Sequence, residues 1–515
     1  MMFRYMLAAA VLIAAGHSPA SARWLEAKSR HFIIYSEQSP KELREFAEEL
    51  EQFDKGVRLV RAMDDPDLTE SGRLKIFVLR KQSDVAVMAG ADPSSGIHGY
   101  YRGKATGPLA FIHSEQPRDP TELGAKMVLL HEYTHHLQLA STNLALPLWM
   151  TEGTAEFFAT ARKTADGSLM FGAPPQHRAY GVFQLMSLSV EEMVGVTNPK
   201  LEPAEREQVY ARGWLLVHML VFDKARAGQL NAYVANIQKG MTALDAAKAA
   251  FGDLGKLSRD LAQYQRQNKF AGFAVPAAKL QTSAVAVREL SEAESAIMPT
   301  IMRSENGVDA KLAQRVLDGA RKVQARYPDD PVVLAALAEA EQDAGNDAAA
   351  VAAADKASTG ATAFKAMTMK ARALLSMARK DPAKTDWTAL RALIGKVNRL
   401  DPDAAEPLLL YYQTYAAQGI APTKNAVEGL LYAQQLVPQD DALRMVAVRQ
   451  MISDSKLAEA RRLFSPLAND PHVSAKNREF RTKLMALLTA GDGKGALAFL
   501  DEEKKKTEAE AKKKS

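Results

Sequence analysis

The sequence of 515 residues predicts an α+β domain followed by an all-α array of helix pairs. Three observations carry that expectation. Between Trp24 and about Asn143, short apolar runs bounded by turn residues alternate with helical patterns. His131-Glu132-Tyr133-Thr134-His135 forms the pattern H-E-x-x-H inside an amphipathic helix. From about residue 280 the composition turns Ala-rich and Leu-rich, punctuated by Tyr327-Pro328, Leu400-Asp401-Pro402, Val437-Pro438 and Asp470-Pro471.

Residues 1–22 carry Arg4, an apolar run from Met6 to Ala15, and Ala20-Ser21-Ala22. That is the outline of a secretory signal peptide, and it predicts an exported chain, periplasmic or secreted, starting near Arg23, with an uncleaved anchor as the alternative. No later stretch approaches the roughly 20 apolar residues of a membrane helix, so no span is expected in the mature chain. There is no cysteine, so packing and metal rather than disulfides must hold the exported protein together, and any metal must be bound by His and carboxylate. The net charge of +5 is drawn from 66 basic and 61 acidic residues with no basic stripe, which argues against nucleic acid as a partner.

Taken in order, His31 to Tyr35 reads as a buried strand, and Pro40 to Val60 reads as a helix that opens after Ser39. Leu74 to Leu79 is a second strand. After a loop rich in Gly, Ser and Pro at 90–96, Pro108 to His113 makes another, placed to border a cleft and offer a peptide its edge. His98 and His113 are open as extra ligands or as ordinary strand-end histidines. On the motif helix, positions i and i+4 share a face, so His131 and His135 aim at one metal ion, while Glu132 is placed to take a proton from a water beside it. The bland alternative is a surface helix with two unrelated histidines. A third ligand follows from the next segment: Leu146 to Phe158 reads as a turn entering a second helix, and Glu152 completes a two-His, one-Glu site with a position left for water.

The combination of H-E-x-x-H with Trp149-Met150-Thr151-Glu152-Gly153-Thr154-Ala155-Glu156-Phe157, a W-x-x-E-G-x-A-E-F run, resembles the gluzincin metallopeptidases, the clan that includes thermolysin and the zinc aminopeptidases. The resemblance covers roughly residues 24 to 270. It implies a zincin-like α+β peptidase domain holding one Zn2+ per chain, with His131, His135 and Glu152 as ligands and Glu132 as general base. It also implies that Glu156, one turn past Glu152, is the carboxylate that orients the first zinc histidine; its plain alternative is an exposed helix acid. Tyr210-Ala211-Arg212-Gly213 is similar to the Y-x-x-G helix in which the aminopeptidase branch keeps its transition-state tyrosine, which makes Tyr210 the expected oxyanion donor. A core tyrosine on Trp214, with His218 as donor instead, is the competing account. Two departures stand out. No G-x-M-E-N stretch precedes the motif helix, so the amine anchor of the aminopeptidases is absent, and Thr151 stands where many members have Asn.

The Pro-punctuated intervals near the end are close to the ~34 residues of the tetratricopeptide helix-turn-helix repeat, and Ala426, Leu430, Ala433 and Pro438 fall at its A, F, A and P offsets. Five or six helix pairs are expected, degenerate over 359–398. Such solenoids bind proteins or peptides on a concave face, or serve as packing for a neighbouring domain. The expected organisation is a signal peptide at 1–22, a gluzincin-like domain at 23–278, a TPR-like repeat domain at 279–501 and a charged, disordered tail at 502–515. The expected function is an exported zinc peptidase, an endopeptidase, whose repeats recruit a peptide or protein substrate or a protein partner. A repeat scaffold with a vestigial metal domain, and a zinc amidase acting on a non-protein amide, are the alternatives.

Overall fold

The computed structural model describes residues 23–119, 122–141, 144–185, 188–195, 201–267, 269–468 and 475–514. The expected signal peptide at 1–22 and the Asp470-Pro471 punctuation lie outside them. A six-stranded mixed sheet opens the fold: β1 (Leu25–Lys28), β2 (Phe32–Ser36), β3 (Leu74–Leu79), β4 (Gly99–Arg102), β5 (Leu109–His113) and the late strand β9 (Ala286–Glu289), in the order β4-β5-β3-β2-β1-β9. β2, β3 and β5 run parallel; β4 is antiparallel to β5, and β1 is antiparallel to both its neighbours. A second, three-stranded sheet joins β6 (Arg162–Lys163), β7 (Leu169–Phe171) and β8 (Phe273–Val275).

The helix α1 (Pro40–Arg61) starts where its sequence demands. Ser39 caps it, Glu42 returns the bond in a capping box, and Pro40 occupies the first turn, where its missing N–H costs nothing. α2 (Gln82–Met88) follows β3, and α3 (Ala125–Ser141) is the motif helix. The sheet is covered on both faces. Phe32, Ile34, Ile76, Val78 and Ile112 share a core with Leu43, Leu50, Leu129 and Tyr133 from α1 and α3, whereas Phe77, Leu79, Leu109 and Phe111 pack with Val85 of α2 and with Met298 and Met302. Two buried faces explain why Ile76 to Leu79 of β3 and Leu109 to Ile112 of β5 are apolar runs rather than alternating ones.

Met298 and Met302 belong to α11 (Glu292–Asn306), the first helix past the expected domain boundary at 278. That boundary is corrected on two counts: β9 closes the sheet from beyond it, and the core continues through Leu280 and Val285. The strand β5, expected to offer its edge to a peptide, is interior; β4 is the edge strand on that side.

Between the sheets and this boundary run α4 (Leu148–Ala159), α5 (Ala179–Phe183), α6 (Val190–Gly195), α7 (Pro203–Phe222), α8 (Gln229–Gln238), α9 (Ala243–Phe251) and α10 (Leu254–Gln265). After α11 the chain is helical among the described residues. α12 (Ala310–Arg326), α13 (Pro331–Asp343), α14 (Asp347–Ala357), α15 (Ala363–Lys380) and α16 (Trp387–Leu400) come first, then α17 (Ala405–Gln418), α18 (Lys424–Leu436), α19 (Asp441–Ser453), α20 (Leu457–Ala468), α21 (Ala475–Thr489) and α22 (Gly493–Lys514). Each packs on the next, and Ala426, Leu430 and Ala433 are fully buried. The segment 502–514, expected to be disordered, instead continues α22, with Lys506 paired to Glu502 and Glu503 and Lys504 to Glu508 along the helix. No helix among the described residues is long and apolar enough to cross a membrane.

Candidate metal centre

The motif helix is anchored by its apolar side. Leu129, Leu130 and Leu137 are buried in the core, and Tyr133 packs on Phe32 and Phe53 while its hydroxyl donates to Asp54 Oδ1 at 2.7 Å. That fixes the rotation of α3 and turns His131 and His135 toward α4. The partner helix α4 is pinned by Trp149, which is fully buried against Tyr233 and Phe251.

The three expected ligands meet. His131 Nε2 lies 3.2 Å and His135 Nε2 3.4 Å from Glu152 Oε2, and the two nitrogens are 3.1 Å apart. Ligands about 2.0–2.1 Å from a tetrahedral ion stand roughly 3.3 Å from one another, so this triangle fits such an ion without rearrangement. Glu152 is fully buried, an expensive place for a carboxylate unless cations surround it. Burial lowers the His135 pKa, but Glu152 and Glu132 outweigh it and hold the imidazole up at about 9. Glu132 is half-buried and within electrostatic reach of His135, Tyr101 and Tyr210.

Around these three side chains sit further charged and polar groups. Glu156 Oε1 is 3.6 Å from His131 Nδ1, as the resemblance implies, and it is buried rather than an exposed helix acid. Burial raises its pKa, yet His177, His131 and Arg178 together bring it down to about 2. Tyr210 lies over the site with its ring parallel to that of His131, centroids 6.2 Å apart, within electrostatic reach of Glu152. His218, the competing donor, is instead part of an aromatic cluster with Trp214, Phe222 and Phe270, bonded to the Tyr264 hydroxyl at 2.8 Å and the Ala271 carbonyl at 2.9 Å. His98 and His113 stay apart from the triad and pair with each other, His98 Nδ1 to His113 Nε2 at 3.1 Å.

Tyr210 reaches the site because α4 and α7 cross at two glycines. A Cβ on Gly153 would collide with the Gly213 carbonyl, and one on Gly213 would sit 2.6 Å from the Trp149 carbonyl oxygen. The backbones therefore touch, and the residue one turn before Gly213 is carried over His131.

Three further groups have no sequence signature. Gln138 joins the two helices, its Oε1 3.2 Å from His135 Nδ1 and its Nε2 donating to the Thr151 carbonyl at 3.2 Å. Arg178 donates from Nε to Glu156 at 2.9 Å and from Nη1 to Glu207 at 2.6 Å, with its guanidinium 4.8 Å above the Tyr210 ring. His177 Nε2 stands 3.3 Å from the other Glu156 oxygen. A second set, His31, Asp54 and Asp65, also comes within ligating distance, but Asp54 is already bonded by Arg58 and Tyr133.

No family model matches the chain, and no curated protein matches it.

Proposed function

We propose that the protein is a zinc-dependent peptidase of the gluzincin type that cleaves peptide bonds in an exported setting, residues 1–22 serving as its leader. The observation that carries this reading is the triangle of His131, His135 and Glu152, whose mutual distances of 3.1 to 3.4 Å suit one tetrahedral ion. When bound, zinc supplies Lewis acidity, polarising a carbonyl and acidifying water. Glu132 takes the proton of the attacking water and passes it to the departing amine. The Glu156 carboxylate, 3.6 Å from His131 Nδ1, keeps that ring turned to the site by its charge, and Gln138 Oε1 accepts from His135 Nδ1. Tyr210, already beside Glu152, donates to the oxyanion that develops during attack.

Metal analysis of the purified full chain, with a peptide-cleavage screen of wild type and Glu132→Gln, tests the proposal. One zinc per chain in both proteins, with cleavage lost by orders of magnitude in the variant, is the expected result. Equal turnover in the two proteins, or a chain that binds no divalent metal, overturns it.

A further inference from the structure

The helical array bends back onto the motif helix. Its turn between α18 and α19 brings Gln439 against α3, with Nε2 donating to the His136 carbonyl at 3.1 Å and lying 3.1 Å from His136 Nδ1. The Ala105 N–H donates to Asp440 Oδ2 at 2.6 Å, and a Cβ on Gly103 would collide with Gln439. The free edge of β4 is therefore stopped just past Arg102 by a distant part of the same chain. An extended peptide laid along that edge has to end or turn there.

What lies at the turn is a cavity of about 850 Å³, within the range of ordinary ligand sites. His135 and Tyr101 line one wall; Lys104, Arg372, Arg379 and Gln413 line the others. Its acids are already engaged. Glu406 holds Arg372, Asp441 holds Arg481, and Asp440 accepts from Ala105 and from the Leu443 N–H. Three lining cations are not matched in this way: Arg102 Nη1 donates to the Asn306 backbone carbonyl at 3.1 Å, Lys104 Nζ to the Glu305 backbone carbonyl at 2.5 Å, and Arg379 Nη2 to the neutral Gln413 Oε1 at 2.8 Å. None of them forms an ion pair among the described residues. A cavity that joins an expected metal ligand to cations without ion pairs attracts an anion, and for a peptide that anion is a carboxylate.

We propose that this cavity receives a carboxylate of the peptide substrate, so that the helical array forms a specificity wall of the site. The inference rests on the peptidase reading and deepens it. Chain terminus and acidic side chain supply the same chemistry, and the test separates them. Full-length, zinc-loaded Glu132→Gln protein is titrated with fluorescein-Ala-Ala-Leu-Ala-Ala-Ala as the free acid, as its C-terminal amide, and as the amide with Glu in the last position. Because this protein does not hydrolyse, binding is read independently of catalysis. The expected result is that a carboxylate-bearing peptide binds about tenfold tighter than the neutral amide. Preference for the free acid alone identifies the chain terminus; equal gain from the Glu amide identifies a side chain. Adding Arg379→Gln and Lys104→Gln should remove the preference, and Arg379→Lys should restore part of it, which distinguishes lost charge from lost folding. Equal binding of all three peptides, or a preference that survives both substitutions, overturns the inference. Wild type that binds with this preference yet cleaves no peptide would instead count against the peptidase reading.

Discussion

Replacing Gly213 with Ala tests whether the contact between α4 and α7 sets the position of Tyr210. The new Cβ would lie 2.6 Å from the Trp149 oxygen where ordinary contact begins at 3.4 Å, so the helices must part by about 0.8 Å. Overpacking of this kind costs about 1–3 kcal/mol, and the better helix propensity of Ala returns up to ~1 kcal/mol. A net loss of about 1–2 kcal/mol should lower the melting temperature by roughly 3–6 °C for a domain of this size. Tyr210 stands one turn earlier on the same helix, so the displacement is passed to its hydroxyl. A misplacement approaching 1 Å in a reacting constellation costs up to about 10²-fold, so kcat on any cleaved peptide should fall roughly 10- to 100-fold with zinc still bound. Gly319 in α12 is the control, since nothing lies within 4 Å of its added Cβ, and Gly319→Ala should be neutral or stabilising. Thermal melts and steady-state kinetics on both variants decide the matter. If Gly213→Ala melts and turns over like wild type, the close helix crossing does not position the tyrosine.

Tyr210→Phe should cut kcat by roughly 10² to 10³ while zinc content and melting temperature stay nearly unchanged; a large loss of stability with kcat spared would make it a packing residue. Arg178→Met removes the bonds to Glu156 and Glu207 and the cation over Tyr210, and should weaken zinc about 10- to 100-fold in a chelator competition, as should Glu156→Ala; unchanged affinity in both would detach this shell from the metal. Burial lowers the His31 pKa, but its bond to Glu51 at 2.7 Å and the charge of Asp54 raise it to a value above the ordinary 6.5. Its protonated form therefore adds stability that is fully present below about 6.5 and is lost as pH climbs through the raised value, so His31→Gln should flatten the alkaline decline of the melting temperature; parallel pH profiles for the two proteins would refute this. A fragment ending at 278 lacks β9 and α11, and should aggregate where the full chain is monodisperse by gel filtration, because it exposes the Phe77 and Phe111 face of the sheet; a soluble, metal-binding fragment would show that the helical array is dispensable to the fold.

The site was far more legible in the sequence than its frame. That His131, His135 and Glu152 come together could be anticipated because helical periodicity is local: His131 and His135 share a face by spacing alone, and Glu152 lies in the very next helix. Ser39-Pro40 marked the start of α1 for the same reason. What depends on distant pairing was not readable. Gly99-Tyr100-Tyr101-Arg102 lacks the alternation that announces an edge strand, so β5 took its place in the expectation, and the short segment at 286–289 gives no sign that it pairs with residues 25–28. His177 and Arg178 follow Pro174-Pro175 in a single 3-10 turn, too short for a period to say which side chains face the site. The joining of the two regions escaped notice because Gln439 stands in a turn that any helical repeat would carry.

The placement of β1 between β2 and β9 also governs the order in which the fold can assemble. Leu25 pairs with Glu289, so a strand that emerges first from the ribosome waits for one of the last segments of its domain, and loop closure over that span makes the pairing a late event. Until then β1 is an open edge, and its sequence guards that edge. Glu26 lies 4 % exposed in the finished protein, opposite Arg288 in the ladder and bonded to its Nε at 2.8 Å. On an unclosed sheet the same carboxylate disfavours pairing with any strand that lacks a cation at that register, and a one-residue slip of β9 would strand it. The ion pair thus ties β9 to β1 in one register, in which Glu26 faces Arg288.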